Sequence, residues 1–518
     1  MSSTEEGGGA VGAVSTDQTI IINNTNNDSV SIDMPCKDVP LSSGELANLE
    51  SLDKALDGGQ PNLTANPLIR KVPSTLRRTE EFMKYFKPKV ISIGPLHHDD
   101  PTLHESKELK LKLAAHFVKN IGVDKDSLYS NMKKAIDDLK KCYDPQELEK
   151  YSDDDEKLAW MFFVDGCAIL QAVYMRYGDD ICKICGQFIK NDLLTFVYSD
   201  LLLLENQIPF RVLELLTSSS DGEQFMNAII RFIDDTVITP AEDRFCSGER
   251  WWEQKQGERT HLLHLLRVRL LFKKEKPRRW GFPFFIEHKV SKEERTKRCH
   301  SHTIHNVKEL KKLGISLKAS ETSCLTDISF NRILFVGKLC LPPISVDDST
   351  MNLIAYEMCP DFDNDFTVTS YLCFLDLLID EAEDVKDLRD AGILYNGLGS
   401  DEEVAKLFNK MNTDLVPSPR IYSGVKRKIH DHCKNTWIKH AAQGYHTYFR
   451  SPWTFLAFVG AITALLLAED VKDLRAAGIL FNRLGSDEEV AKIFNKMNTD
   501  LVPSPMIYSE VKRKIHNH

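Results

Sequence analysis

The sequence predicts a mainly α-helical protein organised around one large domain. Three observations carry that prediction. Apolar residues recur at helical spacing between charged neighbours, several long segments are apolar nearly all round, and only residues 316–345 look strand-like. The 518 residues, 42% apolar and 27% charged, suffice for a sizeable core and exclude global disorder, a collagen and a polytopic membrane protein. The 12 cysteines are irregularly spaced, which fits a reducing compartment better than a disulfide scaffold.

The elements follow in chain order. Residues 1–66 hold ten acids against Lys37 and Lys54, contributing −8 to a net charge of −10. The stretch is rich in Gly, Ser, Thr and Asn and has no aromatic residue, so it is expected to be a mostly disordered acidic tail. It lacks the basic start and apolar run of a secretory signal, which leaves the sequons at Asn23, Asn27 and Asn62 without consequence. Residues 67–450 are expected to form the helical domain. Leu109, Leu113, Phe117 and Ile121 share one helix face. Tyr129–Cys142 and Glu156–Tyr177 read as helices, the second buried on most sides and opened by Asp153–Glu156, acids that suit a helix start. Asp192–Glu205, ending in four leucines, reads as a central bundle helix. Pro209 then starts a helix running through Leu216. Phe225–Ile238 and His261–Phe272 are further helices. Strands are expected at Ile333–Val336 and Leu339–Leu341.

Glu383–His432 returns as Glu469–His518, with 43 of 50 positions identical at an offset of 86. Two such similar copies are a duplication rather than a solenoid array. Ser400 with Glu403, and Ser486 with Glu489, have capping-box spacing, and Val404, Leu407, Phe408 and Met411 form the apolar face that follows the first. The first copy fits the main domain's pattern; the second, 469–518, is expected to be a loosely docked helical appendage. Between them Trp453–Ala468 carries no charge. At ~1.5 Å per residue its length is about 24 Å, short of the ~30 Å hydrocarbon core, so a buried core helix is the competing assignment. Tyr445, Tyr448, Phe449 and Trp453 resemble an interfacial aromatic belt, with Lys434, Lys439 and Arg450 on the N-terminal side. A transmembrane helix over 452–468 is expected, with Trp453, Phe455, Leu456, Leu465 and Ala468 in it. The main domain then faces the cytosol and the last residues cross over; if the short helix fails to insert, the protein is soluble and cytosolic.

No chemical motif stands clear of its bland alternative. Gly7–Gly12 satisfies the dinucleotide glycine spacing, but no strand precedes it and no helix follows. Cys182 and Cys185 are a lone pair where zinc needs about four ligands. Cys299, His300, His302 and His305 lie in a basic segment and read as solvated. His97, His98, Asp99, Asp100 and His104 have ligand atoms but follow Pro95 in a polar turn. Residues 267–298 hold twelve basic residues against four acids, with Trp280, Phe282, Phe284 and Phe285 among them. In an acidic chain with no nucleic-acid module this reads as a solvated insertion, and no nucleic-acid partner is expected. Glu205, Asn206 and Gln207 follow four leucines and are expected to tie down free backbone groups between two helices. No catalytic, cofactor or metal residue is expected.

Several segments, in order, carry a family resemblance: Lys71-Val72-Pro73, Val90–His98 (including Gly94, Pro95, His97 and His98), Phe163–Cys167 (including Asp165 and Gly166), Asp200–Phe210 (including Glu205, Asn206, Gln207 and Pro209), Asn352–Glu357 and Leu398–Val404. Through them residues 69–468 resemble the plant domain-of-unknown-function 247 family. The resemblance implies a mainly helical protein with one C-terminal transmembrane helix preceded by Asn/Ser-Pro-Trp, here Ser451-Pro452-Trp453. It also implies recognition or signalling through a protein partner rather than catalysis, since some members are implicated in plant reproduction, including self-incompatibility in grasses. The apolar helix is shorter here than is usual for the family, and the second Gly-Ser-Asp-Glu-Glu-Val segment is extra. The competing expectation is an enzyme of unrecognised type with a pocket near His97, His98 and Glu205.

Overall fold

The computed structural model describes residues 42–57, 67–78, 84–178, 189–240, 251, 259–273, 305–333, 336–362, 365–411, 415–435, 460 and 492. The expectations placed on residues 1–41, on the sequon at Asn62, on Cys182 and Cys185, on residues 274–304, on Trp453–Ala468 apart from Gly460, and on the second copy apart from Lys492 lie outside them. The chain divides into two units, Met1–Pro61 and Asn62–His518. In the first, α1 (Ser43–Asp57) lies within the acidic lead. It starts on a capping box: Ser42 N–H donates to Glu45 Oε2 at 2.7 Å and Glu45 N–H to Ser42 Oγ at 3.3 Å. Two reciprocal caps on an acidic first turn suit helix formation in a composition otherwise poor in apolar surface.

The second unit begins with α2 (His104–Ile121), α3 (Lys125–Lys134), α4 (Ile136–Lys140) and α5 (Pro145–Leu148), which lead to the central α6 (Asp155–Tyr177). Asp154 caps α6 by accepting from Lys157 N–H at 2.9 Å, and from Leu158 onward nearly every side chain is buried. Among the described residues α6 is the one helix long and apolar enough to cross a membrane, yet 94% of its apolar window is buried inside the protein. Its hydrophobicity therefore serves the core. Helices α2, α3, α7 (Asn191–Asp200), α8 (Phe210–Leu216) and α9 (Glu223–Thr236) pack on it. The stripe Leu113, Phe117 and Ile121 of α2 is buried, with Leu109 half-buried at its edge.

Two expected helices end differently. The segment 129–142 breaks at Ala135, whose N–H reaches back three residues to Met132 O at 3.1 Å and tightens the turn. The helix expected over Asp192–Glu205 stops at Asp200. Leu201–Leu204 are buried but not helical. Gln207 Nε2 donates to Leu201 O (2.9 Å) and Leu203 O (2.7 Å), and Leu204 N–H donates to Asn352 Oδ1 (2.7 Å). Side-chain amides take the bonds that another helical turn would have made.

After α10 (Leu262–Leu271) and α11 (Val307–Lys312) come β1 (Ile315–Ala319), β2 (Ser329–Ile333), β3 (Val336–Leu341) and β4 (Ile344–Val346). The order is β1-β3-β2, parallel for β1 with β3 and antiparallel for β2 with β3. The expected single run Ile333–Val336 is divided between two strands: Ile333 ends β2 and Val336, its partner, begins β3. There follow α12 (Asp348–Glu357), α13 (Thr367–Asp376), α14 (Ala382–Asp390), β5 (Leu394–Asn396), α15 (Asp401–Met411) and α16 (Ser423–Lys434). Strand β5 pairs in parallel with β4, so the first copy contributes a strand as well as helices. Val385, Leu388, Leu394, Val404, Phe408 and Ile429 join the hydrophobic core of the described residues.

Candidate functional site

Two of the resemblance motifs, Phe163–Cys167 and Asp200–Phe210, meet a third at residues 89–94, which are buried from Ile91 to Gly94. A buried segment without a strand partner must still satisfy its backbone. Here six consecutive N–H groups do so on side chains. Lys89, Val90 and Ile91 donate to the Asp200 carboxylate at 2.9, 2.7 and 2.9 Å. Ser92 donates to Ser106 Oγ at 2.9 Å, Ile93 to Asn206 Oδ1 at 2.6 Å and Gly94 to Asp165 Oδ2 at 2.8 Å. Two carbonyls are met as well, Ile91 O by Asn206 Nδ2 at 3.0 Å and Ser92 O by Lys110 Nζ at 2.7 Å. Burial pushes the Asp200 carboxyl above its ordinary range, and the three N–H donors pull it back.

Beneath this segment Lys110 Nζ lies 2.7 Å from Asp165 Oδ1, with the two side chains 3% and 1% exposed. The contact is ionic rather than an aligned hydrogen bond. Gly94 has φ +72, and a Cβ there would sit 2.5 Å from Gln207 O, so both backbone sign and space demand glycine. Tyr143 Oη donates to the same carbonyl at 2.9 Å. Gly166 lets α6 approach α8: a Cβ would meet Leu216 Cδ1 at 2.6 Å and Val212 Cγ1 at 2.7 Å. Pro209 precedes the first turn of α8, whose Phe210 N–H donates to Thr260 O at 2.8 Å.

His97 Nε2 stands 3.1 Å from Glu205 Oε2 without hydrogen-bond alignment, and Glu205 Oε1 accepts from Val72 N–H at 2.8 Å. His98 is held below its usual pKa, first by burial and then by the Lys110 charge, so it is neutral at physiological pH. The expected histidine–aspartate turn splits among separate partners: Asp99 pairs with Lys150, and Asp100 accepts from Thr102 N–H at 2.9 Å. Among the described residues no three His, Cys, Asp or Glu side chains are grouped to hold a metal ion. Beside the segment lies an open cleft of about 450 Å³ lined by Lys71, Pro95, Leu96, Glu147, Lys150 and Tyr151, among others. His97, His98 and Glu205 do not line it. Tyr151 Oη has no partner, and burial pushes it up to about 12.

Thus Gly94, Asp165, Glu205, Asn206 and Gln207 come together, while Gly166 and Pro209 act one layer away on helix packing. Sequence reasoning missed Lys110 and Ser106, although both sit on the apolar face that includes Leu113 and Phe117; polar residues on such a face were the available signal. It also missed a second buried polar centre. Glu357 accepts from Arg267 Nε (2.8 Å), Val368 N–H (3.0 Å), Thr369 N–H (2.8 Å) and Thr369 Oγ1 (2.7 Å), and burial raises its pKa against Arg267. Trp453, Phe455, Leu456, Leu465 and Ala468 are outside the described residues.

A plant family of unknown function, domain of unknown function 247, matches residues 69–467 and again 468–518. The chain is 28% identical over 402 residues to UPF0481 protein At3g47200 of Arabidopsis thaliana, covering 74% of this chain and 81% of that one. It is 22% identical over 464 residues to a second UPF0481 protein of Arabidopsis thaliana, At3g02645, covering 74% and 85%. No solved structure matches the chain. With a family match that spans most of its length, the chain belongs to the plant domain-of-unknown-function 247 family.

Proposed function

We propose that the protein is a recognition module that binds a protein partner and is attached to a membrane through Trp453–Ala468, with the helical domain on the cytosolic side. A place in plant reproductive recognition rests on the family resemblance alone. The observation that carries the binding role is Trp160. It is 50% exposed, yet its ring is fixed against Tyr129 and Phe163 with centroids 5.8 Å from each. A rigid, half-exposed tryptophan on a core helix loses little entropy on docking and suits the anchor of an interface. The catalytic alternative rests on the 3.1 Å approach of His97 to Glu205. Against it, Glu205 already holds Val72 N–H, and the motif carboxylates Asp165 and Asp200 hold backbone of their own chain.

The test is capture of partners from plant membrane extract by the full-length chain and by Trp160→Ala. Partners that bind the wild type and are lost at least tenfold with the variant support the proposal. Partner sets that do not differ, from variants of equal thermal stability, remove the binding role. Release of the intact protein from membranes by carbonate removes the attachment.

A further inference from the structure

The duplicated segment supplies two occupants for one seat. In the described residues the seat is filled by Glu383–His432, and the groups that hold it there are known one by one. Asp384 accepts from Lys308 N–H at 3.1 Å, Asn409 Nδ2 donates to Asp380 O at 3.0 Å, and Lys311 Nζ pairs with Asp387 at 2.6 Å. Tyr422 Oη donates to Leu325 O at 2.8 Å, and His432 Nε2 lies 3.2 Å from Leu313 O. Strand β5 joins β4 through the pairs Ile344–Leu394, Ser345–Tyr395 and Val346–Asn396. Each of these side-chain anchors recurs in the second copy, as Asp470, Asn495, Asp473, Tyr508 and His518, and so do the buried Val404, Phe408 and Ile429, as Val490, Phe494 and Ile515.

The seven differences are placed selectively. Asp390→Ala476, Tyr395→Phe481, Arg420→Met506, Gly424→Glu510 and Asp431→Asn517 fall where the first copy is exposed, and Leu407→Ile493 keeps a buried aliphatic. Gly397→Arg483 is at an exposed position too, and is set apart by its contacts. A Cβ on Gly397 would meet Asp347 Cβ at 2.9 Å and Val346 O at 3.1 Å, both close to backbone rather than flexible tips. Asp347 itself caps α12, accepting from Ser349 N–H at 2.9 Å. An arginine there must push strand β4 away from β5 or disturb that cap.

We propose that Glu469–His518 is a second ligand for the seat now held by Glu383–His432, kept out of it by the single residue Arg483. The exchange is intramolecular. Even with Trp453–Ala468 held at a membrane, the 17 residues 436–452 extend to roughly 56 Å at ~3.3 Å each, and a tether gives an effective concentration that a separate chain does not match. At about 24 Å as a helix, Trp453–Ala468 falls short of the ~30 Å hydrocarbon core, and in this inference it attaches from the cytosolic face without crossing, which leaves the second copy on the domain's side. A chain in which the second copy takes the seat releases the first, and with it the apolar face of α15.

The experiment is short-arm thiol cross-linking of the full-length chain, read by peptide mapping. Ser345→Cys is combined with Tyr395→Cys to report the first copy in the seat, and with Phe481→Cys to report the second. In the natural background the 345–395 link is expected to dominate. In the exchanged background, Gly397→Arg with Arg483→Gly, the 345–481 link is expected to rise at least tenfold within single chains while 345–395 falls. Arg483→Gly alone, which leaves the first copy intact, is expected to raise 345–481 by a smaller, measurable factor. No rise in 345–481 in either background overturns the inference, as does an exchanged chain that loses cooperative unfolding, because the second copy then fails to replace the first. A 345–481 link found only between chains overturns the intramolecular exchange. None of these outcomes depends on Trp160 or on a partner.

Discussion

Lys110 and Asp165 are the pair on which the buried segment rests, and the cost of disturbing them is set by what remains. Asp165→Asn keeps an acceptor for Gly94 N–H but leaves a buried ammonium facing a neutral group. Removing one partner of a buried pair costs about 3–5 kcal/mol, whereas replacing both costs far less. Asp165→Asn is therefore expected to lose that much in urea unfolding, and Lys110→Met added to it is expected to recover more than half; a double variant no more stable than the single would show that the charge is not the issue. Asp376 behaves in the opposite sense. Burial, and secondarily the charge of Asp380, raise its pKa from 3.8 to about 6. An acid with a raised folded pKa binds its proton more tightly in the native state, so stability falls as pH climbs from about 4 to 6 and the full cost persists above. That rise is worth about 3 kcal/mol at ~1.4 kcal/mol per pH unit. Asp376→Asn should match the wild type near pH 4 and exceed it by up to about 3 kcal/mol at pH 7.5. Parallel pH profiles for the two would refute the assignment.

At the scale of elements, Gly166 shows which of two effects decides a helix. Alanine favours a helix interior over glycine by ~1 kcal/mol. Here its Cβ would come within 2.6–2.7 Å of Leu216 and Val212 on α8, and overpacking of that kind costs ~1–3 kcal/mol. Packing wins, so Gly166→Ala is expected to be destabilising by about 1–2 kcal/mol. Val212→Ala should cost at least ~1 kcal/mol less in the Gly166→Ala background than alone; additive costs would place the strain elsewhere. The same competition between local pattern and tertiary contact explains what was legible in the sequence. The stripe of α2, the acidic start of α6 and the Pro209 boundary were readable because each is a local signal. The end of α7 was not: Leu201–Leu204 continue a helical pattern, and the bonds that stop it come from Gln207 and from Asn352, 148 residues from Leu204. Strand β5 was hidden likewise, since three residues between two helical patterns declare themselves only by pairing with β4. The tying role expected of Glu205–Gln207 held, while the four side chains that accept the six N–H groups of residues 89–94 needed the fold to be counted.

For the whole molecule, the duplication poses a question that composition alone cannot answer: whether the second of two nearly identical fifty-residue stretches can stand in for the first. Phe408 is fully buried in the core, whereas Phe494, its equivalent, belongs to a copy whose seat is already filled. Phe408→Ala is expected to cost ~3–5 kcal/mol, the usual loss for a buried phenylalanine with its cavity. Phe494→Ala is expected to change global stability by less than ~0.5 kcal/mol, as substitutions outside the core do. Denaturant unfolding of the two full-length variants makes this comparison with the chemistry of the substitution held constant. Equal and small costs would mean that the copies share the seat, each able to replace the other when damaged; equal and large costs would mean that the second copy has a core of its own. Only the unequal result fits a chain in which one glycine, Gly397, decides which copy the domain retains.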